Sequence, residues 1–345
     1  MIHFECDYTE GAHPKVLESL VATNMCQTTG YGNDEYCEKA RLLIKDICGN
    51  SEADVHFLVG GTQTNTTVIA SLLRPYQGAV AVKTGHINVH ETGAIEATGH
   101  KVIAAEGKNG KITAEEIENI YNAHHSDADH EHCVQLGLVY ISFPTEVGTI
   151  YSKAELESIS AVCHRLELPL FIDGARLGYG LTADDCDVDI KDIARLSDIF
   201  YIGGTKQGAL FGEAVIFRNK SFSRDFRYMI KQKGGMLAKG RLLGLQFLAL
   251  LEDNLYFDLA RHANRLAMKI KEALVAKSVE MICPCSTNQQ FALLSNEVVA
   301  KLSQDYSFSV APSEKEGYSN VRICTSWATT EENVDKLISD LNKVL

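Results

Sequence analysis

Apolar residues recur along the chain in two patterns, which predict alternating strands and helices through the first two thirds of the sequence. Short apolar runs predict strands at 55–59, 79–83, 102–105, 136–142, 168–172, 199–202 and 213–217. Apolar positions at helical spacing predict helices at 63–73, at 89–97, and from about residues 113 and 152 onwards. This alternation is typical of a mostly parallel sheet with helices on both faces. We therefore expect an α/β fold with a seven-stranded sheet.

Two of these helices carry a start signal. Thr113 with Glu116, and Ser152 with Glu155, have the spacing of a capping box, in which each side chain bonds the backbone N–H of the other residue. The sequence therefore predicts helix N-termini at both places.

The character of the chain changes in its last third. A long helical stretch, interrupted by glycines, covers about 223–276 and is followed by strand-like runs at 290–294 and 321–326. Thr329 and Glu332 predict a cap for a final helix with one apolar face. We expect a large domain from the N-terminal segment to residue 250 and a small α+β domain at 251–345.

Length and charge narrow the class of protein. The chain has 345 residues and a net charge of -12, without a basic cluster. This balance argues against a nucleic acid or an anionic membrane surface as a partner. The first residues lack a basic region followed by an apolar stretch, so we expect no signal peptide and a cytoplasmic location.

Two groups of potential metal ligands have structural explanations. The ten cysteines are scattered and are expected to be reduced, and the one-residue gap between Cys283 and Cys285 is too short for the usual redox or zinc pair. Segment 124–132 is rich in histidine and carboxylates, which could bind a metal. We interpret it as a polar surface loop and expect no metal.

The residues with the clearest chemical potential follow two predicted strands. Lys206 lies in a glycine-rich turn after strand 199–202, and Asp173 ends strand 168–172. A lysine that forms a Schiff base and an aspartate that pairs with a pyridinium nitrogen are the two groups that pyridoxal phosphate chemistry requires.

Other residues extend this pattern. Segment 60–65 begins Gly-Gly-Thr between a strand and a helix, where backbone N–H groups can bind a phosphate. His86 follows the next strand, and its imidazole can lie flat on a planar cofactor. Arg176 and Arg322 come from distant segments, and each can grip a carboxylate with its planar guanidinium group.

In this order the motifs resemble the fold-type I pyridoxal phosphate enzymes. Within them the chain is similar to the threonine aldolase and β-eliminating lyase family, and to the low-specificity L-threonine aldolases most of all. The similar segments span nearly the whole chain: 31–34, Gly60-Gly61-Thr62, Gly85-His86-Ile87 with Glu91, 143–149, Asp173-Gly174-Ala175-Arg176, Thr205-Lys206 and 321–331.

The resemblance implies a role for each matching residue. Lys206 would bond pyridoxal 5'-phosphate as a Schiff base, Asp173 would pair with the pyridine nitrogen, and His86 would stack on the ring. The catalytic residues implied are therefore Lys206, His86 and Asp173.

The remaining implied roles concern the phosphate and the substrate. Gly61 and Thr62 would hold the phosphate, helped by Lys231. Arg176, close to the cofactor, and Arg322 would bind the substrate carboxylate.

Tyr31 would also contact substrate, because in this family the corresponding loop approaches the site of a neighbouring subunit. The resemblance therefore implies a homodimer or homotetramer with shared sites.

The activity implied is retro-aldol cleavage of a β-hydroxy-α-amino acid, L-threonine or L-allo-threonine, to glycine and acetaldehyde. Some threonine aldolases carry a histidine within the stretch that corresponds to 143–148, and this chain has none there. The general base is therefore open among His86, Glu91, Glu146 and a bound water. A β-eliminating lyase that yields ammonia and a keto acid is the alternative activity.

Overall fold

The computed structural model describes all residues, 1–345. The helices are α1 Pro14–Ala22, α2 Glu35–Ile47, α3 Gly61–Leu72, α4 His86–Val89, α5 Ala114–Ser126, α6 Lys153–Arg165, α7 Leu177–Leu181, α8 Ile190–Leu196, α9 Phe226–Gln232, α10 Arg241–Leu251, α11 Leu255–Ala276, α12 Asn296–Leu302 and α13 Glu331–Val344. The strands are β1 Ile2–His3, β2 Asp54–Leu58, β3 Gln77–Val82, β4 Val102–Ala105, β5 Gln135–Ser142, β6 Leu170–Asp173, β7 Ile199–Gly203, β8 Glu213–Phe217, β9 Glu280–Met281, β10 Gln289–Ser295, β11 Tyr306–Ser307, β12 Ser309–Pro312 and β13 Tyr318–Cys324.

The central sheet has seven strands in the order β2-β8-β7-β6-β5-β3-β4. Strands β4, β3, β5, β6 and β7 pair in parallel, whereas β8 runs antiparallel to both β7 and β2. The predicted mostly parallel seven-stranded α/β sheet is confirmed. Nearly every residue of these strands is buried because helices cover both faces, which explains why their sequences read as continuous apolar runs.

The prediction of a helix at 89–97 was wrong. The structure has the short helix α4 and a separate 3₁₀ turn at Glu96–Thr98. Between them Thr92 and Gly93 have φ values of 54° and 68°, a left-handed conformation that a continuous α-helix cannot contain.

The helix starts were predicted with mixed success. Ser152 and Glu155 form the complete capping box at α6. Thr113 caps α5, but the Glu116 side chain turns away and accepts a hydrogen bond from the backbone N–H of Gly107.

The start of the last helix was predicted one residue too early. Thr330, rather than Thr329, caps α13 and accepts a hydrogen bond from the N–H of Asn333.

The C-terminal part contains a four-stranded antiparallel sheet, β12-β13-β10-β9. Helices α11, α12 and α13 pack on it around a separate apolar cluster that includes Leu266, Leu294 and Leu337. The first strand, β1, pairs in parallel with β11, and Phe4 lies in the same cluster. The N-terminal segment therefore crosses from this cluster to the central sheet.

The sheet places several polar residues at one edge. Asp173 ends β6, Lys206 follows β7, and His86 follows β3, all at the carboxyl ends of parallel strands. Glu213 begins β8 at the same edge because β8 runs in the opposite direction. None of the helices combines the length and the apolar character that crossing a membrane requires.

Candidate active site

A cavity of about 300 Å³ opens at the carboxyl edge of the central sheet. The predicted site residues Gly61, Thr62, His86, Asp173 and Lys206 all line it. The structure therefore brings together five residues that are spread over 146 positions, 61 to 206, in the sequence.

Asp173 is the most firmly held residue of the cavity. Its carboxylate accepts hydrogen bonds from the hydroxyls of Tyr140 and Tyr201, each at 2.5 Å, and from Nδ2 of Asn65 at 3.1 Å. Burial alone would raise the pKa of Asp173, but the nearby charge of His86 and the two tyrosine hydroxyls hold that pKa below its usual value. The carboxylate therefore stays ionised and fixed in place.

Gly174, next to Asp173, allows the close approach of β6 and β7. A Cβ atom at this position would lie 1.8 Å from the backbone oxygen of Tyr201. Only glycine fits there, so this part of the Asp-Gly-Ala-Arg motif is required by packing.

Lys206 lines the cavity, and its pKa is lowered from the ordinary value of a lysine. Its Nζ lies 5.9 Å from the centre of the Tyr8 ring. Burial and the positive charge of Arg176 lower the pKa of Lys206, while the carboxylates of Asp7, Asp173 and Glu213 oppose this through space. A lowered pKa increases the fraction of neutral amine, which is the form of lysine that attacks carbonyl groups.

His86 is held by two carboxylates. Its Nδ1 lies 2.7 Å from Oε1 of Glu91, and its backbone N–H donates to Oε1 of Glu146 at 2.8 Å. The same Glu91 oxygen accepts from Asn65, and the Glu146 oxygen also accepts from Ser142. Glu91 and Glu146 therefore fix the position of His86 and its loop, and Nε2 of His86 is the nitrogen left without a carboxylate partner.

Gly61 and Thr62 form the first turn of α3, whose N-terminus faces the cavity. Gly60 caps this helix without a side-chain hydrogen bond, so the first-turn N–H groups remain available to a bound anion. A Cβ atom at Gly61 would lie 3.3 Å from the hydroxyl of Tyr201, so a larger residue would narrow this cradle.

Arg176 does not line the cavity but lies in an ion pair behind it. Its Nε and Nη2 donate to the two carboxylate oxygens of Asp7 at 2.6 and 2.9 Å. Burial alone would raise the pKa of Asp7, but the charges of Arg176 and Lys206 keep that pKa below its usual value. This pair leaves Nη1 as the free edge of the Arg176 guanidinium group.

Arg322 lies on β13 in the C-terminal part and is half-buried. Its Nη2 donates to the backbone oxygen of Glu5 at 2.8 Å, and its buried Nε has no hydrogen-bond partner. Arg322 does not line the cavity around Lys206, and its predicted role in binding the substrate carboxylate remains a prediction.

Lys231 and Tyr31 lie together, but neither lines the cavity around Lys206. The Nζ of Lys231 is 4.9 Å from the centre of the Tyr31 ring, and both side chains are exposed. Their predicted roles in this active site remain predictions.

The two candidate metal-ligand segments show no metal-type arrangement. No group of three or more His, Cys, Asp or Glu side chains is placed to hold a metal ion. Segment 124–132 is largely exposed at the end of α5. Cys283 and Cys285 both point at the backbone oxygen of Val147, and all ten cysteines are free thiols.

Several residues of the site were missed by the sequence analysis. They are Asp7, Tyr8, Asn65, Tyr140, Tyr201 and Glu213. Tyr140 and Tyr201 sit inside apolar strands, where a polar residue is itself a signal, because buried polar groups need partners. Asn65 lies among other polar residues of α3 and carries no such signal. Asp7 and Tyr8 lie in an irregular segment and carry no such signal.

The chain is similar to known proteins over its whole length. The family model described as beta-eliminating lyase matches residues 4–297. A low specificity L-threonine aldolase of Pseudomonas aeruginosa is 29% identical in an alignment 349 positions long, which covers 99% of this chain and 97% of that protein.

Solved structures agree with this match. A solved structure of threonine aldolase from Leishmania major has 44% identity to this chain and a TM-score of 0.97, with 100% of both chains covered. An aspartate aminotransferase of Thermus thermophilus has 15% identity and a TM-score of 0.71, and the alignment covers 100% of this chain and 92% of that one. The second likeness concerns the fold alone, which is that of the fold-type I enzymes.

The family match includes the strands and turns that carry His86, Asp173 and Lys206, and it ends before β13 with Arg322. Since it covers most of the chain and all of the central sheet, the chain belongs to the β-eliminating lyase family.

Proposed function

We propose that this protein is an aldehyde-lyase that uses pyridoxal 5'-phosphate to cleave β-hydroxy-α-amino acids, L-threonine and L-allo-threonine, to glycine and acetaldehyde. The observation that carries the proposal is the shared cavity of Asp173 and Lys206, in a chain whose full-length relatives include proteins named L-threonine aldolases.

The residues of the cavity fit this cofactor. The ionised, buried carboxylate of Asp173 suits a protonated ring nitrogen, and the N-terminal turn of α3 with Gly61 and Thr62 suits a phosphate. Lys206, with its lowered pKa, suits an aldehyde carbon. When bound, the cofactor supplies an electron sink for the bond that breaks at Cα.

Arginine side chains would orient the substrate. The Nε of Arg322 and the Nη1 of Arg176 have no hydrogen-bond partner in the protein, and they are the arginine N–H groups that would bind the substrate carboxylate. Fixing the carboxylate determines which bond of Cα is aligned for cleavage. Orientation of this kind can lower the activation barrier of a reaction by about 7 kcal/mol or more.

His86 is the best-placed base among the candidates that the sequence left open. His86 lines the cavity, whereas Glu91 and Glu146 do not: Oε1 of each is held by hydrogen bonds, and Oε2 of each is buried without a partner. A proton held on Nδ1 by Glu91 leaves Nε2 of His86 as the acceptor for the proton of the substrate β-hydroxyl.

The test is product analysis of the cofactor-loaded protein with L-threonine and with L-allo-threonine. Acetaldehyde and glycine are the expected products, and their absence with the Lys206→Ala protein would assign the lysine. Ammonia with a keto acid would instead identify a β-eliminating lyase, and it would leave the assignment of the cofactor site intact.

The base is tested separately with His86→Asn. We expect kcat for cleavage to fall by about 10²–10⁴-fold and the acid limb of its pH profile to disappear. An unchanged pH profile would transfer the role to Glu91, Glu146 or water.

A further inference from the structure

Glu213 lies in the cavity but has no role in the proposed chemistry. It is the first residue of β8, is 3% exposed, and pairs in register with Gly203 of β7 and Leu58 of β2. Its side chain lines the same cavity as Lys206.

The Glu213 carboxyl group ties together the turn that carries Lys206. Its oxygens accept hydrogen bonds from the Thr205 hydroxyl at 2.8 Å and from the Gly204 N–H at 3.0 Å. The Thr205 hydroxyl oxygen in turn accepts from the N–H of Gly212 at 3.1 Å. Both ends of the turn 204–212 are therefore fixed by one buried side chain.

The other two acids near Lys206 are already engaged. Asp7 forms the ion pair with Arg176, and Asp173 accepts hydrogen bonds from two tyrosines and Asn65. Glu213 has neither an arginine nor a histidine partner, so Lys206 is the cation that acts on it.

The groups that face Glu213 come from four elements. Lys206 lies on the turn, Asp173 ends β6, Tyr201 lies on β7, and Tyr256 is the second residue of α11. Burial raises the pKa values of both tyrosines, which therefore stay neutral. The charged groups that act on Glu213 are Lys206 and Asp173.

Charge and burial shift the pKa values of Glu213 and Lys206 towards each other. Burial raises the pKa of Glu213 to about 8, although the Thr205 hydrogen bond and the charge of Lys206 oppose this. Burial and Arg176 lower the pKa of Lys206. Because the charge of each group acts on the other, the protonation of one depends on the protonation of the other.

We propose that Glu213 is a positioning residue that fixes the Lys206 turn and sets the protonation state of the Lys206 amine. In the chain without cofactor, the ionised Glu213 carboxylate favours the ammonium form of Lys206, and the protonated carboxyl group favours the neutral amine. This inference rests on the proposed role of Lys206 as the cofactor lysine.

The test measures the chemical reactivity of the Lys206 amine in the full chain from which the cofactor has been removed. Competitive labelling with acetic anhydride, followed by mass spectrometry of the peptide, gives the reactivity of this lysine as a function of pH. In the unaltered protein we expect the rate to rise in two steps, because two coupled groups titrate.

In Glu213→Gln the single amide oxygen can still accept one of the two hydrogen bonds of the turn, and the group no longer titrates. We expect a single step at lower pH, with Lys206 labelled about tenfold faster at pH 8, since loss of a carboxylate lowers the pKa of a neighbouring lysine by about one unit. Glu213→Asp, which keeps a carboxyl group, should retain two steps. Lys111, which pairs with Glu155, is the internal control and should not change.

The outcomes distinguish a failure of this inference from a failure of the proposed function. Identical Lys206 profiles in Glu213→Gln and the unaltered protein, with both folded by circular dichroism, overturn the proposal. A Lys206→Ala protein that still gives the absorbance of a cofactor bonded to lysine would refute the role of Lys206 without affecting the labelling result. In the loaded protein, Glu213→Gln should also shift the pH midpoint of the cofactor absorbance.

Discussion

Removal of the Asp7 carboxylate is expected to destabilise the protein strongly, because Asp7 connects three parts of the chain. Asp7 belongs to the N-terminal segment, Arg176 follows β6 of the central sheet, and Asn288 precedes β10 of the C-terminal part. Besides the paired bonds to Arg176, the carboxylate accepts a bond from Nδ2 of Asn288 at 2.9 Å. Asp7 itself is completely buried.

The size of the effect follows from this burial. In Asp7→Ala the guanidinium group of Arg176, whose side chain is 14% exposed, keeps its charge but loses its partner. Removing one partner of a buried pair costs about 3–5 kcal/mol. This is a large share of the ~5–15 kcal/mol by which proteins are stable.

The measurement is the free energy of unfolding in urea at neutral pH for the unaltered protein, Asp7→Ala, Arg176→Met and the double variant. The double variant should be more stable than the sum of the two losses predicts, since no uncompensated charge remains. A loss below about 1 kcal/mol in Asp7→Ala would refute the argument, because a value of that size is typical of an exposed pair.

The pH dependence gives a second check on Asp7. The pKa of Asp7 is lowered in the folded protein relative to its ordinary value of 3.8. The stability that Asp7 contributes is therefore fully present above pH 3.8 and is lost as the pH falls through the lowered folded-state pKa. The difference between the unaltered protein and Asp7→Ala should shrink in that acidic window, and a constant difference would contradict it.

Three further variants test other parts of the structure. Tyr201→Phe removes one hydroxyl donor from the charged Asp173 and should weaken binding of pyridoxal phosphate about tenfold in an absorbance titration, because a hydrogen bond to a charged group is worth about 1.5–3 kcal/mol; unchanged affinity would contradict this. Gly174→Ala should lower the free energy of unfolding by more than about 3 kcal/mol or prevent folding, since its Cβ would meet a backbone oxygen, and a stability near that of the unaltered protein would disprove the packing argument. Ser152→Ala removes the capping box of α6 and should cost about 1 kcal/mol in urea unfolding, whereas Ser152→Thr, which retains a capping hydroxyl, should cost less.

The sequence alone determined the elements that depend on local patterns. The seven strands, the capping box at Ser152, and the positions of Asp173 and Lys206 at strand ends follow from apolar periodicity and from residues within a few positions of each other. The carboxyl ends of parallel strands meet at one edge, so the sequence also predicted that these two residues share a site. Where local signals competed, as at Thr92 and Gly93, the prediction failed.

Only the tertiary structure decided which partners the site residues have. Asp7 and Arg176 are 169 positions apart, and Asn65 and Asp173 are 108 apart, so no spacing in the sequence indicates either contact. Glu213 reaches the turn of Lys206 because β8 runs antiparallel at the point where the pattern predicted only another apolar strand. Apolar periodicity shows which face of an element is buried, but the path of the chain through the sheet determines which charged groups meet there, and burial then sets their pKa values.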